Sequence, residues 1–108
     1  MTEFKDKANE FFKAQNFTQA LEFYNKAVEA EPYNHVHYSN RSVCYFKLAN
    51  YQAALTDAEK CISIKEDWGK GYLRKGSALG KLNKHWHSFV AYSLGALYEP
   101  DNQTIKDE

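Results

Sequence analysis

An all-α fold of three stacked helical hairpins is what this sequence predicts, and three observations carry the prediction. Apolar residues recur at three- and four-residue spacing and almost never alternate, which is the period of a helix rather than a strand. Helix breakers are scarce, with five Gly and two Pro in 108 residues, and the prolines sit where a helix has to stop. The sequence also repeats itself at a period of 34 residues, a length that holds one helix–turn–helix unit.

The elements follow in order. Phe4, Ala8, Phe11 and Phe12 form one helical stripe that ends near Gln15 and Asn16. A second stripe, Phe17, Ala20, Leu21, Tyr24, Ala27 and Val28, runs up to Pro32. One repeat further on, Phe4 aligns with Tyr38 and Tyr72, Ala8 with Ser42 and Gly76, and Phe11 with Tyr45 and Leu79. In the second helix of each unit Ala20, Ala54 and Ser88 are small, as are Ala27, Cys61 and Gly95, while Pro32 and Pro100 close the first and third units. Helices are therefore expected near residues 3–14, 18–30, 36–48, 52–64, 70–82 and 86–98, in a single domain 1–108 with repeats at about 1–34, 35–68 and 69–102. No single hairpin buries its own apolar stripe, so neighbours stack into a solenoid, with small residues setting the close approaches and aromatics filling the gaps.

Composition excludes several functions. Fourteen basic residues balance fourteen acidic ones, so no overall field draws the chain to nucleic acid or to an anionic membrane. No apolar run approaches the ~20 residues of a membrane span, and the acids near the N-terminus are unlike a targeting peptide, which predicts a cytoplasmic or nuclear protein. Cys44 and Cys61 have no C-x-x-C spacing and read as small buried residues rather than redox or metal groups. The histidines form two H-x-H pairs, His35 with His37 and His85 with His87, but residues two apart on a helix point to different faces, so no metal site and no cofactor is expected. There is no G-x-S-x-G, no phosphate-binding glycine loop and no H-E-x-x-H, so the domain reads as a binding module without catalysis.

The chemistry lies on the first helix of each pair, which is expected to line the concave face. Lys5 and Asn9 are four apart on the first helix, Asn40 sits early on the third, and Lys70 and Arg74 are four apart on the fifth. Each pair shares a helical face, and stacking in register brings three cations and two amides into one groove. That combination suits a ligand with more than one carboxylate.

The repeat pattern resembles the tetratricopeptide repeat, whose positions 4, 7, 8, 11, 20, 24, 27 and 32 carry aromatic, Leu, small, aromatic, small, aromatic, small and Pro. The first unit departs at Lys7 and the second at Arg41, Ala58 and Glu66. The segments K-D-K-A-N (5–9), H-V-H-Y-S-N-R-S (35–42) and D-W-G-K-G-Y-L-R-K (67–75) resemble the carboxylate-clamp subclass found in chaperone-organising co-chaperones. The resemblance implies a right-handed superhelix that binds the C-terminal tail of 70-kDa or 90-kDa heat-shock chaperones, ending Glu-Glu-Val-Asp. It implies that Lys5, Asn9 and Asn40 hold the terminal α-carboxylate and that Lys70 and Arg74 hold the last Asp side chain.

Phe12, Val43, Phe46 and Lys47 are the expected further groove contacts. Gly80 and Lys81 stand where binders of the 70-kDa chaperone often carry an acid and an aromatic. Such domains commonly add a seventh, capping helix; here it is expected to be truncated or absent, with Asp101–Glu108 as its start, in a module excised from a longer protein or in an unusually short one. His85, Trp86, His87, Phe89 and Val90 replace the charges expected on an outer helix face, which predicts self-association through Trp86 and Phe89 or a second contact surface. Two other roles fit the same sequence: a targeting domain of a larger enzyme (prolyl isomerase, phosphatase or ubiquitin ligase), and a scaffold using the convex face.

Overall fold

The computed structural model describes residues 2–99. Pro100, expected to close the third unit, and the segment Asp101–Glu108, expected to begin a capping helix, lie outside the described residues. Six helices follow one another: α1 (Thr2–Lys13), α2 (Phe17–Ala30), α3 (His35–Lys47), α4 (Tyr51–Ile64), α5 (Gly69–Lys81) and α6 (His85–Tyr98). They form three antiparallel hairpins, each packed on the next, and α3 also touches α5 directly.

Each helix begins one residue before the position expected from the apolar stripes, and the turns explain why. Within the first hairpin the chain reverses through a left-handed residue, Gln15, with Ala49 and Asn83 doing the same in the second and third. The amide of the residue after each reaches back five residues: Asn16 to the Phe11 carbonyl, Asn50 to that of Tyr45, Lys84 to that of Leu79. This double-bonded helix end satisfies the last carbonyls and leaves no slack, so the next helix starts at once. Between hairpins Asn34 caps α3, its side chain accepting from the Val36 amide at 2.9 Å.

The small residues mark the crossing points. Ala8 and Ala20 are fully buried between α1 and α2. In the other hairpins a serine sits at one of those places and ties the pair together: Ser42 Oγ donates to the Ala54 carbonyl at 2.8 Å, and Ser88 Oγ to that of Gly76 at 2.7 Å. Helices α5 and α6 approach so closely at their far ends that a Cβ on Gly69 would lie 2.6 Å from the Gly95 carbonyl oxygen. The core is distributed, as a solenoid requires. One cluster joins Ala8, Ala20, Tyr24 and Cys44, a second Val28, Tyr38 and Cys61, and a third Ala54, Leu55, Ala78, Leu79 and Ala91. Each draws on two consecutive hairpins. Both cysteines are buried as expected, and burial pushes each thiol up to about 11, away from nucleophilic or redox duty.

The second repeat's three departures from the pattern have structural reasons. Arg41 replaces Leu and pairs through two nitrogens with the buried Asp57, at 2.7 and 2.8 Å, while its third nitrogen donates to Asn25 at 3.1 Å. Ala58 replaces the aromatic that, as Tyr24, donates to Asn9 and, as Tyr92, hydrogen-bonds Ser77. The residue facing it in the second repeat is Val43, which offers no polar partner. Glu66 replaces Pro32, but what the fold uses there is a carbonyl: Tyr38 donates to that of Pro32 and Tyr72 to that of Glu66, both at 2.9 Å.

Candidate functional site

The inner helices α1, α3 and α5 carry the candidate residues on one recurrent stripe. Within the 34-residue frame Lys70 occupies place 2, Lys5 place 5, Asn40 and Arg74 place 6, and Asn9 place 9. On a helix these positions share one face, so the frame that stacks the repeats also aligns these side chains along the groove.

Arg74 lies at its centre. Its Nε donates to the hydroxyl of the buried Ser39 across the α3–α5 contact at 3.3 Å, a long bond, and no carboxylate in the described residues pairs with it. Burial pulls its pKa below the usual arginine value, only partly opposed by the nearby Cys61. A guanidinium withdrawn from water without an anion is an unsatisfied charge. It borders a cavity of about 210 Å³ lined by Ser42, Val43, Phe46, Lys47, Arg74 and Ser77. Val43, Phe46 and Lys47 thus stand beside Arg74.

The remaining candidates flank this point. Asn9 accepts from the Tyr24 hydroxyl at 2.7 Å, which fixes the amide with its oxygen toward Tyr24 and its NH₂ group left to donate outward. Asn40 is half-buried and makes no side-chain hydrogen bond within the described residues. Lys5 is half-buried, and Lys70 is exposed with its Nζ 6.0 Å from the centre of the Trp68 ring; neither has a carboxylate partner among the described residues. Phe12 is not brought into the cavity. It packs edge-to-face on Phe17 at 5.1 Å and against the first-repeat core, as Phe46, one repeat on, packs on Tyr51 at 5.3 Å and against the third cluster.

Gly80 and Lys81 border a second hollow, about 370 Å³, that shares Phe46 and Ser77 with the first and runs on to His85 and Tyr92. A Cβ at Gly80 would meet only the Ser88 hydroxyl, at 3.5 Å, so the groove is open there. Of the first histidine pair, His35 stands edge-on to Trp68, and buried His37 lies 2.6 Å from Glu31. Sequence reasoning missed Ser42 and Ser77 as lining residues, Ser39 as the partner of Arg74 and Tyr24 as the anchor of Asn9. One signal for the anchor was present, since Asn9 and Ser77 recur at the same repeat place and so do Tyr24 and Tyr92.

Comparison with known proteins agrees with this architecture. The family model described as tetratricopeptide repeat matches residues 6–34 and 38–67. The STIP1 homolog of Dictyostelium discoideum is 40% identical over 98% of this chain and 19% of its own length, and the Hsp70-Hsp90 organizing protein of Triticum aestivum is 38% identical over 95% of this chain and 18% of its own. The chain therefore spans about a fifth of these curated relatives. Among solved structures, the first TPR of Spaghetti (RPAP3) bound to the HSP90 peptide SRMEEVD has a TM-score of 0.89 at 30% identity, covering 96% of this chain and 82% of that one. The second TPR domain of human RPAP3 in complex with the HSP70 peptide SGPTIEEVD has a TM-score of 0.86 at 29% identity, covering 93% of this chain and 83% of that one.

Proposed function

This chain belongs to the tetratricopeptide repeat family, and from that premise we propose that it is a co-chaperone adaptor domain whose inner groove captures the free C-terminus of 70-kDa or 90-kDa heat-shock chaperones, ending Glu-Glu-Val-Asp. The observation that carries the reading is Arg74: a cation drawn out of water, held only by a serine hydroxyl and bordering a cavity of peptide side-chain size. A carboxylate from outside the chain supplies the missing partner. Lys5, Asn9 and Asn40 hold the terminal α-carboxylate, and Lys70 and Arg74 hold the side chain of the last Asp.

The division of labour follows from the chemistry. The amides orient the carboxylate without adding charges that repel one another, and the lysines add compact charge at the rim. Arg74 offers a planar fork to a carboxylate that has lost its water. The Val side chain and the residues upstream of it meet Val43 and Phe46 and then the open hollow beside Gly80 and Lys81. Nothing in this act requires bond making, and the adaptor role is one of docking alone, in the cytoplasm. Among the described residues no helix is long and apolar enough to cross a membrane.

Calorimetric titration of the 108-residue chain with the peptides SRMEEVD and SGPTIEEVD, each beside its C-terminally amidated form, tests the reading. The free acids bind, and amidation weakens binding at least tenfold, because it removes the charge that Lys5, Asn9 and Asn40 receive. Equal affinity for acid and amide would overturn the clamp, and the ratio between the two free acids names the preferred chaperone.

A further inference from the structure

Helix α6 has a second apolar face. Its inner side packs on α5 through Ser88, Ala91 and Gly95, while its outer side carries Trp86, Val90 and Leu97, which are 70%, 39% and 66% exposed, with half-buried Leu94 between them. The spacing of i, i+4, i+8 and i+11 makes these one continuous stripe. The same places on α2 hold Thr18, Glu22, Lys26 and Glu29, and on α4 Gln52, Thr56, Lys60 and Ser63. In the first two repeats this face is built for water; in the third it is not.

The repeat itself shows what does not cover that stripe. Every one of those eight residues on α2 and α4 is exposed although α3 and α5 are packed against those helices. A further helix continuing the stack would cover Phe89 and Tyr92, whose counterparts Leu21 and Tyr24 lie at the α2–α3 seam, and would leave Trp86, Val90 and Leu97 in water. The sequence expectation of a contact through Trp86 and Phe89 is thereby narrowed: Phe89 stacks on Trp86 at 5.7 Å but belongs to the side a following helix would take.

We infer that this stripe is the contact between two copies of the chain, paired through α6 about a two-fold axis. Three features select a second copy. Residues 85–98 contain no Asp, Glu, Lys or Arg, and the cation at the rim of the stripe, Lys75, already faces Glu59 at 3.7 Å, so a charged partner face would be desolvated there without compensation, whereas the same stripe is not. The stripe is also self-complementary. A hollow of about 260 Å³ opens beside Trp86, Val90 and Leu94, backed by Tyr72 and Leu79 and rimmed by Lys75 and His87, and Leu97 projects about 10 Å beyond Val90 at its middle. Antiparallel pairing brings each Leu97 to the other copy's hollow, the isologous arrangement of a two-fold dimer. Finally, the stripe exposes on the order of 500 Å² of apolar surface per copy. Pairing would bury about 1,000 Å², the lower bound for a specific interface, so the dimer is weak and forms at high local concentration.

Sedimentation equilibrium of the 108-residue chain tests this. The weight-average mass rises from 12.5 kDa toward twice that value between roughly 10 and 500 μM. Trp86→Thr with Val90→Glu, the residues that stand at those places on α2, abolishes the rise while helicity and peptide affinity stay unchanged, since neither residue lines the groove. Should that pair of changes unfold the chain, Leu97→Glu at the exposed end gives the same reading. A wild-type chain that stays monomeric at 500 μM overturns the inference, as does a folded variant that associates as strongly as wild type; in the first case the stripe serves a different protein.

Discussion

Arg41 and Arg74 are both half-buried arginines on inner helices of adjacent repeats, and they are held in opposite ways. Arg41 makes a two-pronged pair with Asp57, whose side chain is 5% exposed, and the hydrogen bond to that carboxylate raises its pKa. Arg74 has one long bond to a serine hydroxyl, and burial lowers its pKa. The same side chain is thus a cross-brace between α3 and α4 in one place and, in the other, a cation with no carboxylate partner among the described residues, which is what the proposed clamp role rests on. The difference teaches that a buried cation's role is read from its partner: a charge already neutralised within the fold serves stability, and one left without an anion is a candidate for binding.

The largest effect expected from breaking this contrast is on stability. Asp57→Ala strands Arg41 and costs about 3 kcal/mol, the lower end for a broken buried pair because Arg41 keeps 20% of its side-chain surface in water. Adding Arg41→Leu, the residue that the repeat pattern carries at this place, recovers most of the loss, since an apolar pair has no charge to strand. Chemical denaturation of both variants checks this, and a double variant no more stable than the single one would refute the brace. Peptide affinity is retained in the double variant.

Arg74→Ala inverts the pattern. It weakens binding of a Glu-Glu-Val-Asp peptide by about 10- to 100-fold, the worth of a charge-assisted bond made in a dry site, while the stability of the free chain is unchanged or slightly raised by removal of an uncompensated charge. Lys70→Ala, at an exposed position, has a smaller effect of about tenfold or less that shrinks as salt screens it. Calorimetry at two salt concentrations separates the two residues. If Lys70→Ala matched Arg74→Ala at both, burial would not be what distinguishes them.

A third pair sharpens the comparison at its weak end. The hydrogen bond from His37 holds Glu31 below the ordinary glutamate value of 4.5. A carboxyl whose folded pKa is lowered adds stability that is fully present above its unfolded value and is lost as pH falls through the lowered folded one. The stability difference between wild type and Glu31→Gln is therefore constant at neutral pH and closes below about pH 4.5. Denaturation curves across pH 3–7 read this directly, and a difference that persisted to the acid end would assign the loss to something other than the charge of Glu31.

Much of this molecule was legible in the sequence because a repeat announces itself through periodicity. Ala8, Ser42 and Gly76, read 34 residues apart, fixed the hairpins and their crossing points, since small size at a fixed register has only one use in stacked helices. The five clamp candidates were legible for a related reason: they fall on one helical stripe, and once the register is known the stripe is known. The helix starts were read to within one residue, and at α2, α4 and α6 that one residue was hidden because the left-handed turns at Gln15, Ala49 and Asn83 contain no glycine to signal them.

Tertiary packing alone decided which charges were already spent. Local spacing makes Arg41 and Arg74 look alike, and only the packing of α4 on α3, which puts Asp57 beside one of them, tells them apart. Phe12 and its counterpart Phe46 pack alike, each edge-on to the first aromatic of the next helix and against a core cluster, and Phe46 also borders the cavity beside Arg74. Sequence determined the fold because hydrophobic periodicity is a local property that each helix carries by itself. Which arginine is already neutralised had to come from the structure, because the neutralisation of a charge depends on the nearest group in space: it lies 16 residues away for Arg41, while Arg74 has no carboxylate partner among the described residues.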